Sequence, residues 1–343
     1  MAETSPEPIL RVHDLSTRFF ATFGVVHAVD GVSFDLHPRE TLGIVGESGS
    51  GKSVTALSIL RLVPSPGRVV SGTVELAGQN LFDLDAEAMR RVRGNTMSTV
   101  FQNPMTALNP ALRIGWQLDE AFLAHDRGTK EEARDKTIET LQAVGIPDAL
   151  ERAESYPHEY SGGMRQRIVI AMGMVNNPQL LIADEPTTAL DVTIQAQVME
   201  LMKRLIDEHD MALILITHNM GVVANMCDRV AVMYAGEIVE EAPVDDLFED
   251  PRHPYTWALL ASLPSIEDVD ARLPAIAGFP PDMVDKPTGC RFLERCPFAE
   301  EICADHPELV ELGEGRKSRC WVAQRGETFA ERDVSLLRGE VLE

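Results

Sequence analysis

The sequence predicts an α/β fold with a largely parallel sheet, interrupted by a helical insertion and followed by a loop-rich extension. Three observations carry this. Short apolar runs alternate with amphipathic helical stretches, the pattern of strands joined by crossover helices. A glycine-rich turn stands between an apolar run and a helix-forming stretch at Gly46–Ser53. From about Ala242 onward proline becomes frequent and apolar periodicity weakens.

In chain order, ILRVHDLSTRFF, VVHAVDGVSFDL and ETLGIVGES read as strands. KSVTALSILRLV has apolar residues at helical spacing. From about Asn109 to Tyr160 the chain is charge-laced and helical, as in WQLDEAFLAHDRGTKEEARDKTIETLQAVGI, with no strand signal. This places a helical subdomain at about residues 103–165. After Ser161 strands return in QLLIADEP, MALILITHN and RVAVMYAGEIVEEA, with the amphipathic helix VTIQAQVMELMKRLIDEHD among them. A core domain over residues 1–245 and an extension over 246–343 follow.

The chain has 343 residues, 44% hydrophobic and 25% charged, enough for a real core. It has no apolar run of 18 residues, so no segment is expected to span a bilayer. MAETSPEPILRVHD lacks the basic start and apolar stretch of a secretory signal, so a cytosolic protein is expected. A net charge of −23 repels phosphates and argues against nucleic acid as a partner. Six lysines against 25 arginines fit either a salt-loving source or a GC-rich genome.

GESGSGKS, Gly46–Ser53, fits the phosphate-binding pattern G-x-x-x-x-G-K-[ST]. Its glycines let backbone amides wrap a phosphate at a helix N-terminus. Lys52 would reach the β and γ phosphates and Ser53 would hold Mg²⁺. LLIADEP ends a buried strand in two carboxylates: Asp184 suits Mg²⁺, and Glu185 is placed to polarise a water against the γ-phosphate. In YSGGMRQR, Ser161, Gly162 and Gly163 open another helix N-terminus suited to an anion.

Together these motifs resemble the ATP-binding cassette (ABC) ATPases over about residues 8–245, with Tyr160 where leucine is most usual. The resemblance implies a P-loop ABC ATPase core that binds ATP and Mg²⁺ and closes head to tail on a second such subunit. It implies nucleotide contacts at Gly46, Glu47, Ser48, Gly49, Ser50, Gly51, Lys52, Ser53 and Val54. From the signature side it implies Ser161, Gly162, Gly163, Gln166 and Asp191. Gln102 in VFQNP matches the glutamine that senses Mg²⁺ and the attacking water, and His218 in LITHN matches the histidine that contacts the γ-phosphate. Phe19 falls where the family stacks an aromatic on adenine, with Phe20 and Phe23 close by.

PRHPYTWALLASLP and the tail motif GC-x-F-x-x-RCP-x-A resemble the ATPase subunits of oligopeptide and dipeptide importers, of the peptide and nickel group. That resemblance implies a place on the cytoplasmic face of the membrane. It implies two transmembrane permease subunits, a second ATPase subunit (a paralogue ahead of an identical chain) and an extracellular solute-binding protein. Nickel or a sugar-like solute is the alternative cargo. A soluble ABC ATPase of DNA repair or translation is disfavoured by the single cassette and the absence of sustained heptads. An exporter ATPase is disfavoured by the His-Pro-Tyr segment and the tail. From its residues alone, the His-Pro-Tyr segment is a turn followed by a short apolar helix suited to docking on a neighbour.

Four of the five cysteines lie in the tail: Cys290, Cys296, Cys303 and Cys320. A reducing cytosol argues against disulfides. Zinc accepts four thiolates, but its structural sites favour tight C-x2–4-C pairs, which are missing here. Iron–sulfur clusters tolerate wider spacing. The stretch resembles the motif that binds a [4Fe–4S] cluster in some family members. Zinc and free thiols packed as small hydrophobes stay open as alternatives. A cluster would fold a tail expected to lack a core of its own. Cys227 reads as a buried structural cysteine.

Overall fold

The computed structural model describes residues 7–101, 104–187, 190–263, 276–330 and 332–333. Among these residues the strands, in chain order, are β1 (Leu10–Ala21), β2 (Gly24–Leu36), β3 (Thr41–Val45), β4 (Gly67–Leu76), β5 (Gln79–Asn80), β6 (Met97–Val100), β7 (Leu180–Asp184), β8 (Ala212–Ile216), β9 (Arg229–Tyr234), β10 (Glu237–Pro243), β11 (Val310–Gly313) and β12 (Arg316–Ser318). The chain divides into two compact units. One comprises Met1–Leu10, Asp35–Thr41 and Glu75–Ile216; the other comprises Arg11–Phe34, Leu42–Val74 and Thr217–Glu343.

In the first unit β6, β7 and β8 run parallel, with Met97 opposite Leu180 and Leu180 opposite Ala212. Leu180–Ala183 and Ala212–Ile216 are unbroken apolar runs because a parallel strand is covered on both faces. The charge-laced segment forms the helices Ile114–Leu123 and Lys130–Ala143. The second starts in a capping box between Thr129 and Glu132. Ile114, Leu118 and Leu141 are fully buried, as are Ile168 and Ile170 of the helix Gly162–Met174.

In the second unit β3 pairs parallel with β9, Leu42 opposite Arg229. The stretch RVAVMYAGEIVEEA is a hairpin of β9 and β10, turning at Ala235 (φ 47) and Gly236 (φ 85). β12 then pairs antiparallel with β10, and β11 with β12. A separate sheet carries the order β2-β1-β4.

One expectation about the tail is corrected. It does have a core: Trp257, Ala258, Cys320, Val322, Ala323 and Phe329 form a buried cluster, with Ile276, Phe298 and Leu312 packed against it. The helix Pro254–Ala261 buries Tyr255, Thr256, Trp257 and Ala258 within its own unit and leaves Leu259, Leu260 and Ala261 partly exposed. Loop-rich sequence hid this because the contacts come from residues scattered between Trp257 and Phe329.

Candidate nucleotide site and cysteine cavity

The phosphate loop belongs to the second unit and links β3 to the helix Lys52–Ile59. Gly46 adopts φ 150, and a Cβ there would lie 2.1 Å from the Met233 carbonyl oxygen. Gly51 adopts φ 108, and a Cβ there would meet the Ala28 carbonyl oxygen at 2.6 Å. Side chains are excluded at both positions by backbone. The helix that follows has no side-chain cap and no acid in its first turn. Its leading N–H groups therefore carry positive potential into the loop. Lys52 is 6% exposed, and its Nζ donates to Gly46 O and Glu47 O, both at 2.8 Å. Ser48, Gly49 and Ser53 are exposed, Val54 is partly exposed, and Ser50 is buried.

Glu47 is held from the extension. Its backbone N–H donates to the Tyr255 hydroxyl at 2.8 Å. Arg295 Nη1 and Nη2 donate to its two carboxylate oxygens at 2.8 and 2.9 Å. Tyr255 is fully buried and packs at an angle against Tyr234 (4.6 Å between ring centroids) and edge-on against Phe292 (5.4 Å).

In the same unit His218 is exposed just ahead of the helix Met220–Met226, whose N-terminus Asn219 caps. Phe19 is half-buried, and its ring lies against Gly67, where a Cβ would sit 2.6 Å from Phe19 Cε1. The Arg68 guanidinium covers the Phe20 ring at 4.1 Å. Phe23, in the turn after β1, is 74% exposed and is the open aromatic face of the three.

The first unit gathers the other motif residues. Asp184 ends β7, and Glu185 follows with φ 46, a left-handed conformation that disfavours any residue but glycine. Its N–H donates to Ile216 O at 2.8 Å. Ser161 caps the helix Gly162–Met174 through Met164 N, and Asp191 caps Val192–Glu208 through Ile194 N. A Cβ on Gly162 would meet Leu190 Cδ2 at an ordinary contact distance of 3.8 Å, whereas one on Gly163 would lie 2.6 Å from Ile194 Cγ2. Gln166 is 1% exposed. Tyr160 is 3% exposed, and its hydroxyl donates to Arg152 O, a bond leucine cannot make. Gln102 lies outside the described residues.

The four tail cysteines, 290, 296, 303 and 320, line one cavity with His253, Phe292, Phe298 and Trp321. Its volume is about 10 Å³, room for about one water. Burial pushes the Cys290 thiol up to about 12 and raises Cys296 and Cys320 as well. Among the described residues no group of three or more His, Cys, Asp or Glu is placed to hold a metal ion. Cys227 is buried against Gly43, where a Cβ would come within 2.9 Å of its Sγ.

Residues 29–188 match the ABC transporter family, and residues 239–303 match the oligopeptide/dipeptide transporter C-terminal region. The oligopeptide transport ATP-binding protein OppD of Bacillus subtilis is 49% identical over 92% of this chain and 88% of that protein. The chain belongs to the oligopeptide/dipeptide-importer family of ABC ATP-binding subunits. The dipeptide transport ATP-binding protein DppD of Haemophilus influenzae is 48% identical over 91% of this chain and 94% of its own length. A dimeric ATP-binding cassette in a post-hydrolysis state with ADP and Pi superposes with a TM-score of 0.61 at 26% identity, covering 68% of this chain and 98% of that one. The fold is thus the ABC ATPase cassette, and the activity is that of an ABC-type, transport-coupled ATPase. No helix among the described residues is long and apolar enough to cross a membrane.

The residues that sequence reasoning missed in this ABC subunit lie on β10 and in the extension. Glu237, Glu240 and Glu241 are 3%, 1% and 2% exposed. Glu237 meets His306 at 3.0 Å, Glu240 accepts Arg252 N at 2.6 Å, and Glu241 meets Lys317 at 3.1 Å. The only local signal is acids within an otherwise apolar strand.

Proposed function

We propose that this chain is the ATP-hydrolysing subunit of an importer for di- or oligopeptides, peripheral on the cytoplasmic face of the membrane. It works with two permease subunits, a second ATPase subunit and an extracellular solute-binding protein. The observation that carries this reading is the pairing, in one chain, of a cassette match with the C-terminal region found in oligopeptide and dipeptide transporters. The names of relatives matched over 88–94% of their length agree with it.

In this reading the loop Gly46–Val54 cradles the ATP phosphates, with Lys52 on the β and γ phosphates. Ser53, Asp184 and Gln102 are the Mg²⁺ residues. Glu185 polarises the attacking water, His218 contacts the γ-phosphate, and an aromatic near Phe19 carries adenine. Ser161, Gly162, Gly163 and Asp191 serve the nucleotide of the facing subunit. The left-handed backbone of Glu185 supports a functional constraint there, because strain of this kind persists where the site requires it. Glu185→Gln is expected to keep ATP binding and abolish turnover. Hydrolysis at the wild-type rate in that variant would remove Glu185 from its role. Co-purification with two multi-span membrane proteins tests the importer assignment.

For the tail the proposed occupant is a [4Fe–4S] cluster held by Cys290, Cys296, Cys303 and Cys320. Their donor chemistry fits four-thiolate ligation, and all four line the same cavity. Its volume does not fit a cluster while the thiols stay packed together. Bound there, a cluster would cross-link the turns of the extension.

A further inference from the structure

Glu47 is fixed at every polar handle it has. Tyr255 takes its N–H, Lys52 takes its carbonyl, and Arg295 takes both carboxylate oxygens. Lys52 is the residue of the phosphate loop itself; Tyr255 and Arg295 lie more than 200 positions away, in the extension.

Neither extension residue has slack. The Arg295 side chain is 5% exposed, its Nε donates to Ala277 O at 2.9 Å, and its Nη1 also reaches the Tyr234 hydroxyl at 3.2 Å. Its guanidinium lies 5.7 Å from the Tyr234 ring centroid and 5.9 Å from that of Phe292. Tyr255 is fully buried in the same aromatic group, and the Tyr255 N–H is fixed in turn by His253 Nδ1 at 3.0 Å.

The chemistry gives this arrangement a consequence for ligand binding. A carboxylate one residue into a phosphate loop repels the anion that the loop exists to bind. A bidentate guanidinium neutralises it and fixes its direction. The Glu47 carbonyl also competes with phosphate for the Lys52 ammonium, so the position of residue 47 sets how readily Lys52 is released.

We propose that Arg295 and Tyr255 are positioning residues for the phosphate loop, so that MgATP affinity in this chain is set from its C-terminal extension. The proposal rests on the reading of Gly46–Ser53 as the ATP phosphate loop. It differs from simple anchoring of the extension, in which the Glu47–Arg295 pair holds two parts of the unit together and does nothing for nucleotide.

The test is calorimetric titration of the purified full chain with MgATP, with steady-state ATPase kinetics alongside. Arg295→Gln is expected to weaken MgATP binding about tenfold, raising KM while kcat changes less, with Arg295→Lys intermediate. Glu47→Gln combined with Arg295→Gln is expected to recover part of the affinity that Arg295→Gln alone loses, because the unpaired carboxylate is gone. Tyr255→Phe keeps the ring packing and is expected to bind several-fold more weakly; it carries the test if Arg295→Gln does not fold. Binding at the wild-type level in Arg295→Gln, or in Tyr255→Phe where that variant stands in, overturns the proposal. So does a double variant as impaired as Arg295→Gln. Wild-type chain that binds no MgATP would instead overturn the phosphate-loop reading.

Discussion

The Glu240 carboxylate, 1% exposed, accepts the backbone N–H of Arg252 at 2.6 Å. Burial pushes its pKa from the ordinary 4.5 up to about 7. The folded chain therefore holds a proton that the unfolded chain releases between those values, and stability falls as pH rises through that window. The cost above pH 7 is about 3 kcal/mol. Glu240→Gln imitates the protonated acid. It is expected to raise the melting temperature at pH 8, with the gain shrinking towards pH 4.5. A variant less stable than wild type at pH 8 would contradict this.

Gly163 and Ile194 make a second pair with a clear outcome. A Cβ at 163 would stand 2.6 Å from Ile194 Cγ2, so Gly163→Ala should cost about 1–3 kcal/mol of stability. Ile194→Ala, which clears the contact, should recover part of the loss when combined with it. Additive losses in thermal unfolding would show that the close approach is not the cause.

At Glu185 the backbone and the side chain can be separated. Glu185→Ala and Glu185→Gly both remove the carboxylate and should both lack turnover. They differ in tolerance of φ 46, so the glycine variant should be the more stable by about 1 kcal/mol. Equal melting temperatures would mean that the backbone at 185 relaxes when its side chain is removed.

The cysteine cavity is settled by elemental analysis. Chain purified without oxygen and carrying the cluster should be brown, contain about four irons with matching sulfide, and lose both in Cys303→Ser. About one zinc per chain would replace the cluster by a mononuclear site. Metal-free protein would leave four thiols serving as packing.

Part of this molecule was legible because its information is local. TLGIV followed by GESGSGKS specifies a strand, an anion-binding turn and a helix within thirteen residues, and the structure follows that order. The buried strand LLIAD likewise announces itself by its apolar run. The rest was hidden for identifiable reasons. β6 is only MSTV, too short for periodicity to register. Glu47 and Arg295 are 248 positions apart, and no spacing rule connects a loop acid with an arginine beside a cysteine.

The addition of β12 along β10 has a bearing on how the chain can be dissected. A cut after Pro243 looks safe from sequence, since a loop-rich stretch begins there. It would strip a buried strand of its neighbour and expose backbone N–H and C=O groups along a new edge, an invitation to aggregation. It would also abandon Glu237, Glu240 and Glu241 without the partners that later residues supply. The cassette and its appendix are thus inseparable in folding, and a shortened version made to simplify the ATPase should be insoluble rather than merely unregulated.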